Sequence, residues 1–317
     1  MDKQPLVQID KLSKRFTIGS QTLYALSETS FTIAPGETLA LAGESGCGKS
    51  TLAKALLRLI EPTTGAIYFE GVNLVGLDAK AMKTMRRRMQ IIFQNPYASL
   101  NPRQRVEDIV GEAIDIHRLA KGAERKDRIE QLLQALGLGP DYLRRLPEEL
   151  SGGQRQRVSI ARALAVEPKF IVCDESLSAL DMSTKVQLID FLKLTQQEKN
   201  ISYLFISHDL ALLRHLAHRV AIMYLGSLVE LAPSEILYTD PLHPYTQALL
   251  SAIPIPDPKQ ERQRSRIILK GEIPSPFTPP SGCPFHTRCP FAMPICKTSN
   301  PALKEVKPAH FVACHLQ

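Results

Sequence analysis

Apolar and polar positions along this 317-residue chain change their period several times, and each change marks a new kind of element. Residues 6 to 33 alternate in short runs, such as Leu6 to Ile9 and Ser30 to Ile33, which predicts antiparallel strands. Thr38-Leu39-Ala40-Leu41-Ala42 is a short continuous apolar run of strand type, and Leu52 to Ile60 has helical spacing. Ala66 to Phe69 and Met89 to Phe93 predict further strands, and Lys83 to Gln90 has a helical pattern. From about Val106 to Leu146 the period becomes 3.6. Val106, Ile109, Val110, Ala113 and Ile114 share one face there, and Ile129, Leu132, Leu133 and Leu136 share another, closed by Gly137. This predicts a helical block inserted between two halves of an α/β core.

A helix is expected from the glycines after Leu150 through Ala165, then a fully apolar strand, Phe170 to Cys173, of the kind a buried parallel sheet requires. A helix (Val186 to Leu194), a strand (Tyr203 to Ile206), another helix and two strands to about Leu231 complete the core. Pro254, Pro256, Pro258, Pro274, Pro276, Pro279 and Pro280 forbid a regular helix over 253–282, which reads as a semi-rigid linker. Residues 283–317 read as a small terminal module.

The candidate chemistry begins at the end of the 38–42 strand. Gly43-Glu44-Ser45-Gly46-Cys47-Gly48-Lys49-Ser50, followed by Thr51, has the G-x-x-x-x-G-K-S spacing of a phosphate-cradling loop. Glycines let successive backbone N–H groups point into one concavity, and the next helix presents its positive end to an anion. Lys49 suits the β- and γ-phosphates, and the Ser50 hydroxyl suits Mg²⁺. Asp174-Glu175 closes the apolar strand 170–173. Asp174 is placed to hold Mg²⁺, and Glu175 to accept a proton from, or orient, an attacking water. Leu150-Ser151-Gly152-Gly153-Gln154 offers a second anion site, with Ser151 as a cap and two glycines exposing N–H groups.

Composition narrows the class. The hydrophobic fraction of 44% and charged fraction of 22% are those of a soluble globular protein. No uninterrupted apolar run is long enough to cross a bilayer, and Met1-Asp2-Lys3-Gln4-Pro5 does not resemble a signal peptide, so a cytosolic chain is expected. The formal charge of +7 raises the question of nucleic acid. The densest basic run, Arg86-Arg87-Arg88, reads instead as a solvated helix face, so no nucleic-acid partner is expected.

Taken together, these motifs resemble the nucleotide-binding subunits of ABC transporters over nearly the whole chain. The resemblance implies an ABC-type P-loop ATPase core with a RecA-like sheet, an antiparallel β subdomain and a helical subdomain at about 95–165, all within 1–252. It identifies Walker A as Gly43 to Thr51, the Q-loop residue as Gln94, the signature as Leu150 to Gln154, and Walker B as Ile171 to Asp174 with catalytic Glu175. Ser178-Ala179-Leu180-Asp181 matches the D-loop, His208 the switch histidine, and Phe16 the aromatic that faces adenine. Ser176 departs from the family, where proline commonly follows the glutamate. The implied assembly is a head-to-tail pair, with ATP and Mg²⁺ between Walker A of one subunit and the signature of the other; Ser50, Gln94 and Asp174 are the implied Mg²⁺ residues.

Phe93 to Arg103, and His243-Pro244-Tyr245-Thr246 with Leu249 to Pro254, resemble the oligopeptide/dipeptide permease branch, specifically the second of its two ATPases. That implies a different ATPase as partner, two integral membrane permease subunits, an external substrate-binding protein, and a peripheral place on the cytoplasmic face of the membrane. The cargo implied is peptide, with nickel or glutathione as alternatives. A non-transport ABC ATPase acting on nucleic acid or ribosomes is a competing reading, as is an iron–sulfur regulatory protein.

Cys283, Cys289, Cys296 and Cys314 are separated by five, six and seventeen residues. Four thiolates in a short module suit an iron–sulfur cluster or tetrahedral zinc, with His286 and His315 as substitute zinc ligands. The permease resemblance implies a [4Fe–4S] cluster here. Cys47 and Cys173 read as packing residues.

Overall fold

The computed structural model describes residues 4–178, 180–254, 257 and 266–317. In chain order its elements begin with β1 (Val7–Ile18), β2 (Gln21–Ile33), β3 (Thr38–Ala42), α1 (Lys49–Leu56), β4 (Thr64–Phe69) and β5 (Val72–Asn73). Then come α2 (Ala79–Arg88), β6 (Met89–Ile92), α3 (Pro96–Ser99), α4 (Val106–His117), α5 (Gly122–Ala135), α6 (Gly152–Leu164), β7 (Phe170–Asp174) and α7 (Met182–Lys199). The remainder is β8 (Ser202–Ile206), α8 (Leu210–Leu216), β9 (Arg219–Tyr224), β10 (Ser227–Pro233), α9 (Ser234–Thr239), α10 (Pro244–Ser251), β11 (Lys304–Lys307) and β12 (His310–Val312). The chain divides into two compact units: residues up to 33, 38–75 and 206–317 in the first, and 34–37 with 76–205 in the second.

In the first unit, β2-β1-β4-β5 form an antiparallel sheet. Its alternating pattern buries Val7, Ile9, Leu12, Leu26, Phe31, Ile33, Ile67 and Phe69, as the period-2 reading requires. A second run of strands goes β11-β12-β10-β9-β3, with β3 parallel to β9 and the other pairs antiparallel. Every residue of β3 is buried, which explains its unbroken apolar composition. The helix α1 stops at Leu56, four residues short of the expected Ile60. Arg58 takes a left-handed φ of 49°, and Leu59 and Ile60 turn their N–H groups back to the Lys54 carbonyl. Pro62 then bars a helical Glu61.

The second unit carries β8, β7 and β6 side by side, with β6 and β7 parallel. Helices α4, α5 and α6 pack on one another as the helical block expected from the 3.6 period. Between α5 and α6 the chain makes two single 3₁₀ turns, at Pro140–Tyr142 and Pro147–Glu149, because a proline begins each. The helix α7 extends further both ways than the expected Val186 to Leu194, because Asp181 caps its start and Asn200 ends it in the left-handed region. Arg86, Arg87 and Arg88 form the last turn of α2, where cations favour the negative helix end.

A free-standing cysteine module is not supported. Residues 304–312 add β12 to β10 and β11 to β12. Phe285, 1% exposed, lies among Tyr224, Tyr245 and His243, with ring centroids 5.2, 5.3 and 5.6 Å away. The proline-rich segment is described only in part, since residues 255, 256 and 258–265 lie outside the described residues.

His243 supplies a pH-dependent element of this packing. Its Nδ1 accepts the Tyr245 N–H at 3.0 Å, and burial pushes its pKa down from 6.5 to about 3. The folded protein keeps the ring neutral, while the unfolded chain protonates it at about pH 6.5. The stability this group contributes is therefore complete above about pH 6.5 and declines as pH falls toward about 3. Urea unfolding between pH 7 and 4 should show that decline in wild type, and a shallower one in His243→Asn.

Candidate nucleotide site

The loop after β3, in the first unit, carries the expected phosphate-binding residues. Gly43 has φ 152°, and a Cβ there would stand 2.2 Å from the Met223 carbonyl oxygen; at Gly48, φ 103°, it would stand 2.4 Å from that of Ala25. Both positions are closed to side chains by backbone, so these glycines are structural necessities of the bend. The Lys49 side chain is buried in the cup: its Nζ donates to the Gly43 carbonyl at 2.8 Å and the Glu44 carbonyl at 2.9 Å. Cys47 is buried, and burial raises its thiol pKa although Lys49 opposes the shift, so the thiol is protonated. Ser45 and Gly46 are exposed, Ser50 and Thr51 half-buried, with Ser50 in the first turn of α1. Phe16, half-buried in β1, carries the Lys14 ammonium 4.7 Å from its ring centroid. His208, exposed, follows β8 two residues before α8, which Asp209 caps through the Leu212 N–H at 3.0 Å.

The second unit holds the carboxylates. Asp174 ends β7 at 5% exposure. Glu175 has a left-handed φ of 45°, costly for a residue with a Cβ. The turn is held by Ser178, whose N–H and hydroxyl both donate to the Glu175 carbonyl, at 3.1 and 2.8 Å. Gln94, just after β6, donates its Nε2–H to the Glu175 carboxylate at 2.8 Å. Two residues 81 positions apart in sequence are thus joined in one pair. Ser176, where proline was the family expectation, is buried and bonds its hydroxyl to the Cys173 thiol.

Ser151 and Gln154 form a reciprocal cap at the start of α6. Gln154 N–H donates to the Ser151 Oγ at 3.3 Å, and Ser151 N–H to the Gln154 side-chain carbonyl at 2.9 Å. A serine hydroxyl that accepts here still has its own proton to donate outward. Asp181 accepts the Thr184 N–H at 2.9 Å and two hydroxyls, and these bonds, that of Ser183 first, hold its pKa well below the carboxylate range. Ala179 of the D-loop lies outside the described residues.

The expected metal site at Cys283, Cys289, Cys296 and Cys314 is not supported. Among the described residues no group of three or more His, Cys, Asp or Glu side chains is arranged to hold a metal ion. Burial raises the pKa of Cys283 to about 11 and those of Cys289 and Cys314 in the same direction, and neighbouring cysteines add to each shift. His286 and His315 instead bond to the carbonyls of Cys283 and Ser299.

Residues 26–178 match the ABC transporter family, and residues 229–296 match the C-terminal region of oligopeptide/dipeptide transporters. YkfD of Bacillus subtilis (strain 168) is 51% identical over 318 residues, covering 100% of this chain and 97% of its own. The chain belongs to the ABC transporter family, as one of its ATPases. AppF of the same organism, an oligopeptide transport ATP-binding protein, is 50% identical, covering 92% of this chain and 89% of its own. Among solved structures, the dimeric ATP-binding cassette MJ0796, in a post-hydrolysis state with ADP and Pi, is 29% identical with a TM-score of 0.67. That match covers 72% of this chain and 98% of the cassette. The ATPase is thus an ABC cassette with a further C-terminal region.

Sequence reasoning missed several residues around the loop. Tyr245, fully buried, accepts the Glu44 N–H on its hydroxyl at 2.9 Å. Arg288 grips the Glu44 carboxylate with two bonds, 2.6 and 3.1 Å long. Glu230, fully buried, accepts the N–H groups of Leu242 (2.7 Å) and His243 (3.1 Å) and lies 2.7 Å from Nε2 of His310. Proline at 244 is a signal for a helix start that could locate this region, whereas the cap through His243 Nδ1 leaves no such signal.

Proposed function

We propose that this ATPase is a motor subunit of an importer for di- or oligopeptides, pairing head-to-tail with a second ATPase and driving two membrane subunits. The peptide assignment is supported by the match of residues 229–296 to the oligopeptide/dipeptide transporter C-terminal region and by the name of AppF. Among the described residues no helix is long and apolar enough to cross a membrane. In this proposal the partners supply the membrane path and the subunit sits peripherally on their cytoplasmic side.

The residue roles follow from chemistry. Lys49 and the N–H groups of 45–49 bind the phosphates, Phe16 stacks on adenine, and His208 contacts the γ-phosphate. Glu175 takes the proton of the attacking water, oriented by Gln94. Ser50, Gln94 and Asp174 offer hard oxygen donors that fit Mg²⁺, which when bound neutralises phosphate charge. Ser151, Gly152, Gly153 and Gln154 face the nucleotide of the partner subunit, with Asp181 beside that interface. An iron–sulfur cluster plays no part in this reading.

The observation that carries the pairing is Gly152. It is exposed, a Cβ there would meet nothing within 4 Å among the described residues, and its φ is not left-handed, so none of the described residues requires glycine. In this reading glycine serves the close approach of the partner subunit's nucleotide to the backbone. Gly152→Ala is expected to fold with unchanged stability, since alanine favours helices, while ATP turnover of the assembled transporter falls more than about tenfold. Unchanged turnover would refute the pairing. Peptide-stimulated ATP hydrolysis by the subunit co-purified with its membrane partners tests the cargo, with nickel and glutathione as the alternatives.

A further inference from the structure

The phosphate loop contains a carboxylate, Glu44, next to the place where a strongly anionic ligand is expected. Two features of the C-terminal region are spent on it. Arg288 forms the bidentate pair, with its side chain 8% exposed against 26% for Glu44. Tyr245 accepts the Glu44 N–H at 2.9 Å, which fixes the peptide that enters the loop. Tyr245 is itself fixed by Tyr224 and Phe285, at centroid distances of 4.8 and 5.3 Å, and by the His243 cap. Arg288 lies 5.9 Å from the Tyr224 ring, so one aromatic nest supports both contacts.

We propose that Arg288 is a positioning residue for ATP binding: it neutralises the Glu44 carboxylate and, with Tyr245, holds the phosphate loop open to the nucleotide. The inference rests on the assignment of residues 43–51 as the ATP phosphate site. It makes the C-terminal region part of the nucleotide site rather than an appendage. The charge argument gives a signature that mere propping would not. Without Arg288, an uncompensated carboxylate stands beside the phosphates, and like charges repel over several ångströms. Removing the carboxylate as well should then restore binding, and salt should screen the defect.

The test is the dissociation constant of MgATP for the full chain, by calorimetry at low and high salt. Arg288→Met should weaken binding about tenfold at low salt and less at high salt. Adding Glu44→Gln to that variant should bring affinity back to within about threefold of wild type. Arg288→Lys, which keeps the charge and loses the fork, should stay close to wild type and guards against misfolding of the methionine variant. Wild-type affinity in Arg288→Met, a double variant weaker than the single, or a lysine variant as weak as methionine would each overturn the proposal. If wild-type protein itself fails to bind MgATP, the phosphate-site assignment fails instead.

Discussion

Glu175→Gln is expected to lower ATP turnover by about 10²–10⁴-fold while MgATP binding stays within about threefold of wild type. The substitution is nearly isosteric, and its side-chain carbonyl can still accept the Gln94 amide, which lies 2.8 Å from the native carboxylate. What is lost is the basic oxygen that takes a proton from water. Single-turnover hydrolysis measured beside equilibrium nucleotide binding checks both halves. Wild-type turnover would remove Glu175 from the role of base, and a parallel collapse of binding would show that the substitution damages the cup instead.

Phe285→Ala should cost about 3–5 kcal/mol of stability, the usual effect of removing a fully buried aromatic side chain. The ring is 1% exposed and touches Tyr224, Tyr245 and His243, so its removal leaves a cavity that three large rings cannot fill without moving. Denaturant unfolding measures the loss. A change below about 1 kcal/mol would mean that the aromatic nest is not a stabilising centre of the first unit.

What the sequence makes legible is mostly local. The strand–loop–helix around Lys49, the cap formed by Ser151 and Gln154, and the buried strand ending at Asp174 each need only a few consecutive residues of the right chemistry. The helical block from Val106 is legible because its period repeats over several turns. The ends of elements are harder: α1 stops early because of the turn at Arg58, and α7 runs long because its caps, Asp181 and Asn200, flank a pattern with a weak apolar face. Least legible are contacts between distant positions. Arg288 and Glu44 are 244 residues apart, and Glu230 and His310 are 80 apart; neither pair leaves a periodic trace. The strands β11 and β12 are short and partly charged, so the four cysteines of that region carry the stronger sequence signal, which is that of a separate module.

The buried His310–Glu230 pair ties β12 to β10, while the same glutamate holds the backbone entering α10, whose Tyr245 in turn reaches the loop at Glu44. Synthesis from residue 1 onward therefore produces the phosphate cup long before the segments that line its outer wall. Closing contacts of that span is slow relative to forming a local helix. The contacts that brace Glu44 come from residues 201 and 244 positions further along the chain, so a cassette cut short of them keeps the loop's sequence and loses its wall.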